Sequence, residues 1–394
     1  MKLYLNDCGI VCALGRSLGE VRHRLLDEAR SGIVATDRWS PGRSLPLGPV
    51  AGPLPEMACL PLSLRSRNNQ LALLALAQIR PAVEAAIARF GAHRIGVVIG
   101  TSTSGVANSE RALGAHAKSG VFPEDFHYAQ QEMGSPADLL VHQLGIGGPA
   151  YVHSSACASS AKAMASAARL IRMGLCDAVL TGGVDSLCAF TVAGFGALES
   201  VSAAPCNPLS VNRNGINIGE GAALFLMSAT PAAVALCGWG ESSDGYHMSA
   251  PDPSGEGAGI AIVQALQRAA IDVGEVDYIN LHGTATVQND AMESKLIADM
   301  FGLRTAVSST KPFTGHALGA AAAIEAALCW IAMQDENDEG RLPVHLWDGA
   351  ADPLLPALNV VEAGMRLGRP LRFVLSNSFA FGGANAALIL GRMR

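Results

Sequence analysis

No two cysteines in this sequence are spaced as CxxC, and none of the nine (residues 8, 12, 59, 157, 176, 188, 206, 237 and 329) stands at metal-finger spacing. An odd, scattered set in a chain of 394 residues argues against a disulfide framework and for a reducing cytosol. Aromatic residues make up only 5% of the chain and charged residues 16%. The 28 basic and 34 acidic residues give a net charge of −6 without long runs of either sign, so no surface for nucleic acid or for an anionic membrane is expected. The opening residues MKLYLNDCGIVCALG lack an apolar stretch followed by a small-residue cleavage site, and no secretory leader is read there. The apolar run 317–333 is about long enough to raise the membrane question. It carries Glu325 near its middle and reads instead as a buried core helix. Together these absences predict a cytoplasmic protein without a membrane partner.

What is abundant is small and apolar: 49% hydrophobic residues and 43 glycines, enough for a large core with closely packed elements. By length alone the chain could hold two or three domains or one large α/β unit. The order of elements narrows this. RIGVVIG (94–100) is an apolar strand opening onto the loop TSTSG. A strand and Ala-rich helix around Cys157 follow, then AVLTGGVDS (178–186) and GEGAALFLM (219–227). In the second half VDYINLHGTAT (276–286) opens onto a similar loop, followed by AVSSTKPFTGHALGAAAAIEAAL (306–328) and RFVLSNSFAFGGANAALIL (372–390). The segment 106–147 reads as a partly helical insertion between the first of these strands and Cys157. A duplicated α/β arrangement with buried strands and Ala-rich helices between sheets is predicted, divided at 1–228 and 229–394. His316 then takes in the second half the place of Cys157 in the first, and pseudo-symmetry brings both helix starts to one centre.

Cys157 stands at the bend between an extended segment, YVHSSA, and the helix that begins in SSAKAMASAARLIRMG. A helix N-terminus favours an anion, so the thiol is expected to ionise more readily than a free one and to act as a nucleophile. The alternative is a small buried apolar side chain. His282 and His316 lie beside glycine and threonine, where a sharp backbone turn lets a substrate approach. Lys311 could hold a carboxylate such as Glu325 or tune the charge of the histidine. A carboxylate in so apolar a helix needs a partner.

At these residues the sequence resembles the β-ketoacyl-acyl-carrier-protein synthases, elongating condensing enzymes of the thiolase superfamily. The resemblance covers essentially the whole chain. It rests on SACASSAKA around Cys157, HGTAT (282–286), STKPFTGHALGAA (309–321) and NSFAFGGANA (377–386). SSDGYHMSAP (242–251), GGVDSL (182–187) and NRNGINIGEGAA (212–223) support it. It implies a thiolase-like fold, a layered α-β-α-β-α sandwich of two duplicated halves. It also implies decarboxylative condensation of malonyl carrier protein with an acyl chain held on Cys157. The Cys–His–His set of the family maps onto Cys157, His282 and His316, with an oxyanion hole from the N–H groups of Cys157 and Phe381. Lys311 and Glu325 match supporting positions, Thr284 and Thr286 match ligands of the phosphopantetheine arm, and Phe381 and Phe195 match pocket-facing aromatics. Arg65 and Arg67 match a region that presents basic residues to acyl carrier protein. No bound cofactor is implied, since the substrates travel on the phosphopantetheine of the carrier. The expected partners are that carrier and a second subunit, making a homodimer or a heterodimer with a homologue.

The sequence departs from the family pattern at several points. Leu209 and Ser210 replace the Phe-Asp of a PFD motif, and Asn214 stands where an aspartate is usual. Val287, Gln288 and Asn289 replace a Pro-Leu-Gly type of continuation. Ala380 replaces the first glycine of the common GFGG turn, where a Cβ would stiffen the turn or restrict φ. These departures, with NGINIGEGAA resembling aryl polyene synthases, lean toward a specialised polyene or polyketide-like pathway. A thiolase would carry a second cysteine near the C-terminus, where this chain has FAFGGANA. A starter-unit synthase would have asparagine at His316. A silent chain-length-factor-like partner would lack the nucleophile that Cys157 supplies.

Overall fold

Eleven strands form one continuous sheet in the computed structural model, which describes residues 1–393. In the first half these are β1 (Tyr4–Val11), β2 (Ile95–Gly100), β3 (Ala150–His153), β4 (Ala178–Asp185) and β5 (Gly221–Ser228). In the second half they are β6 (Val234–Ser243), β7 (Tyr278–Asn280), β8 (Ala306–Ser308), β9 (Asn359–Val360), β10 (Phe373–Phe379) and β11 (Ala384–Arg392). The spatial order is β1-β5-β4-β2-β3 in one half and β6-β11-β10-β7-β8-β9 in the other. With the short edge strand β9 of the second half left out of the count, each half runs first, fifth, fourth, second, third. Pairings repeat as well: the first three strands of each order are antiparallel and the rest parallel. A single antiparallel pair, Tyr4 with Ala235, joins the halves.

The repeat follows from burial on both faces. Strands such as IGVVIG and AVLTGGVD are buried along their whole length, which is why they read as continuous apolar runs rather than alternating ones. Helix α1 (Arg67–Phe90) covers the outer face of the first half. It starts where the Ser66 hydroxyl accepts from Asn69 N–H, and it buries Leu71, Ala75, Leu76, Ile79 and Val83. It is the one helix among the described residues long and apolar enough to cross a membrane by length and composition, and it packs on β1, β5 and β4. The insertion 106–147 forms α2 (Val106–Ser119) and α3 (Ser135–Leu144). Between the two half-sheets lies α4 (Ser159–Arg172), and α5 (Ala189–Ala197) comes later in the first half of the chain. The outer face of the second half is covered by α6 (Glu256–Ala269) and α7 (Val287–Phe301). Helix α8 (Ala321–Ala332) is the partner of α4 in the central layer. The result is α-β-α-β-α. Among the described residues all nine cysteines are free.

Close approach at the centre depends on small residues. A Cβ on Gly100 at the end of β2 would lie 2.3 Å from Ser160 N, so only glycine lets the start of α4 rest on that strand end. Helix α8 is alanine-rich and buried on nearly every side, as a core helix must be.

Candidate active site

The starts of α4 and α8 meet under a cavity lined by Cys157, His282, His316, Thr284, Thr286, Phe195, Phe379 and Phe381. Cys157 sits on the elbow between β3 and α4, after Ala156, whose φ of +46° is unusual for a residue with a side chain. Its N–H takes part in no hydrogen bond among the described residues. His316 follows Gly315 (φ +72°) and is clasped by the first half of the chain. Its N–H donates to Asn217 O at 2.7 Å, and its carbonyl accepts from Gly219 N–H at 3.0 Å. This puts His316 Nε2 3.0 Å from Cys157 Sγ. His282, at the end of β7, crosses the His316 ring edge-on with centroids 5.5 Å apart. Its backbone is held by Glu293 on α7, which accepts from His282 N–H at 2.8 Å and from Gly283 N–H at 2.7 Å.

Behind the histidines, Lys311 Nζ lies 2.5 Å from Glu325 Oε1 and 3.5 Å from His282 Nδ1. Both partners are 2% exposed. An ammonium only donates, so His282 Nδ1 acts as acceptor and its proton resides on Nε2. Burial and the Lys311 charge hold both imidazoles well below the usual histidine range, so they are neutral. Burial also pushes the Cys157 thiol from its ordinary 9.0 up to about 12, against the lowering effects of Lys311 and of the Phe381 N–H that points at the sulfur. This corrects the expectation of a readily ionised thiol. A helix start is worth at most about 2 kcal/mol, and burial outweighs it. In the resting site a neutral S–H therefore faces a neutral Nε2.

The Phe381 and Phe195 rings pack at 5.6 Å between centroids in the cavity wall, and the cavity as a whole offers about 40 Å³, room for little more than water. Thr284 and Thr286 lie on the wall with their hydroxyls 2.9 Å apart. Ala380 adopts φ −99° and ψ 154°, ordinary for any residue, so its Cβ imposes no strain in this conformation. The unusual angles fall on Gly382 and Gly383 (φ +79° and +76°). Ligand atoms of Cys157, His282 and His316 lie within 4.8 Å of one another, a Cys–His set of the kind that takes zinc. The Lys311 ammonium against His282 works against a cation there.

Two arginines lie elsewhere than expected. Arg67 turns inward and forms a two-pronged ion pair with Glu220, whose side chain is fully buried. The Arg65 guanidinium ties down its own loop through the carbonyls of Leu60 and Ala58, both at 2.8 Å. Arg67 is thus the partly buried partner of a buried carboxylate and not a free surface charge. Arg67→Ala is expected to cost about 3–5 kcal/mol of stability by leaving Glu220 buried without its partner. A thermal melt checks this, and an unchanged midpoint would return Arg67 to the surface role.

Several residues around the site were not singled out from sequence. Besides Glu293 and Asn217, Asp185 accepts from Thr101, Ser102 and Thr103 of the TSTSG loop and from Gly319 N–H at 2.6 Å, tying the two halves together beside Cys157. Asp290 accepts from Leu209 N–H at 2.8 Å and holds Leu209 at φ +66°. The unusual CNPLSVNRNG loop is braced by later residues. Ser210 donates to Asp348 at 2.9 Å, Arg213 pairs with Asp352 at 2.5 Å, and His345 contacts Pro208 O at 2.9 Å. Asn289, in place of glycine, points its amide at Asp290 and Glu293. Acidic residues following the HGTAT loop in NDAMESK were the available signal for Asp290 and Glu293.

Comparison with known proteins agrees with this geometry. The Beta-ketoacyl synthase N-terminal domain matches residues 62–232 and the C-terminal domain residues 233–338. Nodulation protein E of Rhizobium leguminosarum bv. trifolii is 31% identical over 98% of both chains. The 3-oxoacyl-[acyl-carrier-protein] synthase 2 of Mycobacterium bovis (strain ATCC BAA-935 / AF2122/97) is 37% identical over 255 residues, and this match spans 60% of the relative's length. A ketosynthase (ApeO) from Xenorhabdus doucetiae, solved in complex with its chain length factor (ApeC), is 43% identical with a TM-score of 0.94, covering 100% of this chain and 98% of that one. The chain belongs to the β-ketoacyl synthase family.

Proposed function

We propose that this protein is the catalytic subunit of a 3-oxoacyl-carrier-protein synthase, and the 3.0 Å contact between His316 Nε2 and Cys157 Sγ is the observation that carries the reading. As the thiol attacks an acyl thioester, its proton passes to His316, and the oxyanion forms against the Cys157 and Phe381 N–H groups. Pantetheine thiol leaves with a proton, and the acyl group stays on Cys157. Malonyl thioester then loses CO₂. The resulting enolate oxygen is stabilised by the His282 Nε2–H, which Lys311 holds in the donor tautomer, and by His316 in the tautomer that carries its proton on Nε2, since acylated Cys157 no longer offers an S–H to that nitrogen. The carbanion attacks the acyl-Cys carbonyl and expels the cysteine sulfur as a thiolate, which takes up a proton from solvent, because the one lost in acylation left with the pantetheine thiol. Phe381 and Phe195 must part for any acyl chain to enter, and Gly382 and Gly383 supply the backbone freedom.

On this reading Thr284 and Thr286 bind the phosphopantetheine arm, the enzyme holds no cofactor of its own, and acyl carrier protein delivers both substrates. The enzyme works in the cytoplasm beside a second subunit of the same fold. The retained Cys157 and the likeness to a ketosynthase solved with a chain length factor favour the active member of such a pair, in a polyene- or polyketide-like pathway. CO₂ release from malonyl carrier protein tests the histidine roles. His282→Ala and His316→Ala should each lower it by about 10²–10⁴-fold, and normal release in both variants sinks the assignment.

A further inference from the structure

Asp185, the last residue of β4, lies between the two reactive starts. A Cβ on Gly183, two residues earlier, would fall 2.6 Å from Ser160 Cβ of α4 and 3.1 Å from Ala320 Cα just before α8, so the end of this strand touches both. The Asp185 side chain belongs to a residue only 1% exposed, and it accepts hydrogen bonds from both sides. Oδ1 receives the Thr101 hydroxyl at 2.6 Å, the Thr103 hydroxyl at 2.8 Å, and the N–H groups of Ser102 and Thr103, each at 2.8 Å. Oδ2 receives Gly319 N–H at 2.6 Å and Ser102 N–H at 3.0 Å. From Ser102 the contacts run on to the nucleophile, because the Ser102 hydroxyl donates at 3.2 Å to the carbonyl of Ala156, the residue before Cys157. From Gly319 they run back along the chain to His316.

Three residues with side chains take a left-handed φ around this carboxylate: Ser104 at +44°, Ala156 at +46° and Leu318 at +47°. Such conformations persist only where the surroundings over-determine them. Here each is one step from Asp185: Ser104 N–H donates to Thr101 Oγ1 at 3.1 Å, Ala156 is held by Ser102, and Leu318 precedes Gly319. Asp185 is not among the residues that line the cavity, so it acts on the reaction through others. We propose that Asp185 is the positioning residue of the acylation step: one carboxylate bridges the Cys157 elbow and the His316 loop and sets the 3.0 Å contact across which the thiol proton passes. This rests on the synthase reading above and names what fixes its geometry.

Acylation of Cys157 by octanoyl-acyl carrier protein, followed by protein mass against time from about pH 7 to pH 9, tests it. Asp185→Asn keeps the side-chain volume. The four donors on Oδ1 hold the amide oxygen there, which turns its NH₂ against Gly319 N–H. Gly319→Ala attacks the same contact from the other side, since its Cβ would lie 2.6 Å from Ser102 Oγ and 2.8 Å from Asp185 Oδ2. Each variant should lower the maximal acylation rate at pH 7 by about 10²-fold, the scale of misplacing a reacting group by about 1 Å. The half-saturating carrier concentration should stay within about twofold, because only the transition state loses an interaction. With His316 drawn off the sulfur, hydroxide must take the proton. The wild-type rate then stays flat while both variants gain about tenfold per pH unit. A merely structural role would lower the amount of folded enzyme without giving the surviving enzyme that slope. A flat pH profile in a folded variant overturns the assignment, as does a thermal melt showing that neither variant folds. Absence of any acyl group on wild-type Cys157 would instead overturn the synthase reading.

Discussion

Replacing Cys157 by alanine is expected to remove acyl-enzyme formation completely and to lower condensation by at least about 10⁴-fold, the scale of losing a covalent nucleophile. The same variant should keep releasing CO₂ from malonyl carrier protein, because His282, His316 and Lys311 are held by Glu293, Asn217 and Glu325 rather than by the sulfur. Protein mass after incubation with acyl carrier protein reads the first effect, and CO₂ capture reads the second. An adduct that persists in Cys157→Ala would place the nucleophile elsewhere. The pH dependence follows from burial. With the thiol pushed up to about 12 and His316 held well below its usual range, neither group titrates between pH 7 and 9. Passing a proton from Sγ to Nε2 changes no net protonation, so acylation of the wild type should be flat across that window. A tenfold rise for each pH increment of one would mean that hydroxide, not His316, takes the proton.

Lys311→Ala should be the most disruptive change that leaves the nucleophile intact. It strands Glu325 in an apolar helix, which costs about 3–5 kcal/mol by analogy with other broken buried pairs. It also frees the His282 tautomer, with decarboxylation expected to fall by about 10²-fold or more. Burial already raises the Glu325 carboxyl and Lys311 opposes that rise; without the lysine it rises further. A carboxyl whose folded value exceeds its unfolded value loses stability as pH climbs from about 4.5 through the folded value, so the variant should melt higher at pH 5 than at pH 8. Replacing both partners by apolar residues, Lys311→Met with Glu325→Leu, should recover much of the stability but not the decarboxylation. Recovery of both would reduce the pair to a packing role.

Much of the site was legible because its motifs sit where strands end. Cys157, His282 and His316 each follow a buried apolar strand or precede an Ala-rich helix, and those patterns are local. Arg67 was misread for the complementary reason. A basic residue beside a loop looks solvated until a carboxylate 153 positions away proves to be its partner. Asp185 and Asn217 escaped notice because a single Asp or Asn in a Gly-rich turn carries no period or spacing, and what each holds is a backbone amide from the other half of the chain. Leu209 and Ser210 looked like a damaged motif until Asp290, Asp348 and Asp352 were seen bracing the loop from far along the chain.

By itself the sequence carried the duplicated α/β architecture and brought forward Cys157, His282 and His316 as candidates, since strand burial, helix composition and residue order are properties of short segments, while whether Lys311 holds Glu325 or tunes a histidine stayed open at that level. Only the tertiary structure decided that the Cys157 thiol stays protonated, that His282 is a donor through Nε2, and that Arg67 is turned inward onto Glu220. Each of those depends on burial and on charges brought within a few ångströms by segments more than a hundred residues apart or by the turn of a neighbouring strand, and desolvation there outweighs what any residue's own neighbours in sequence would impose.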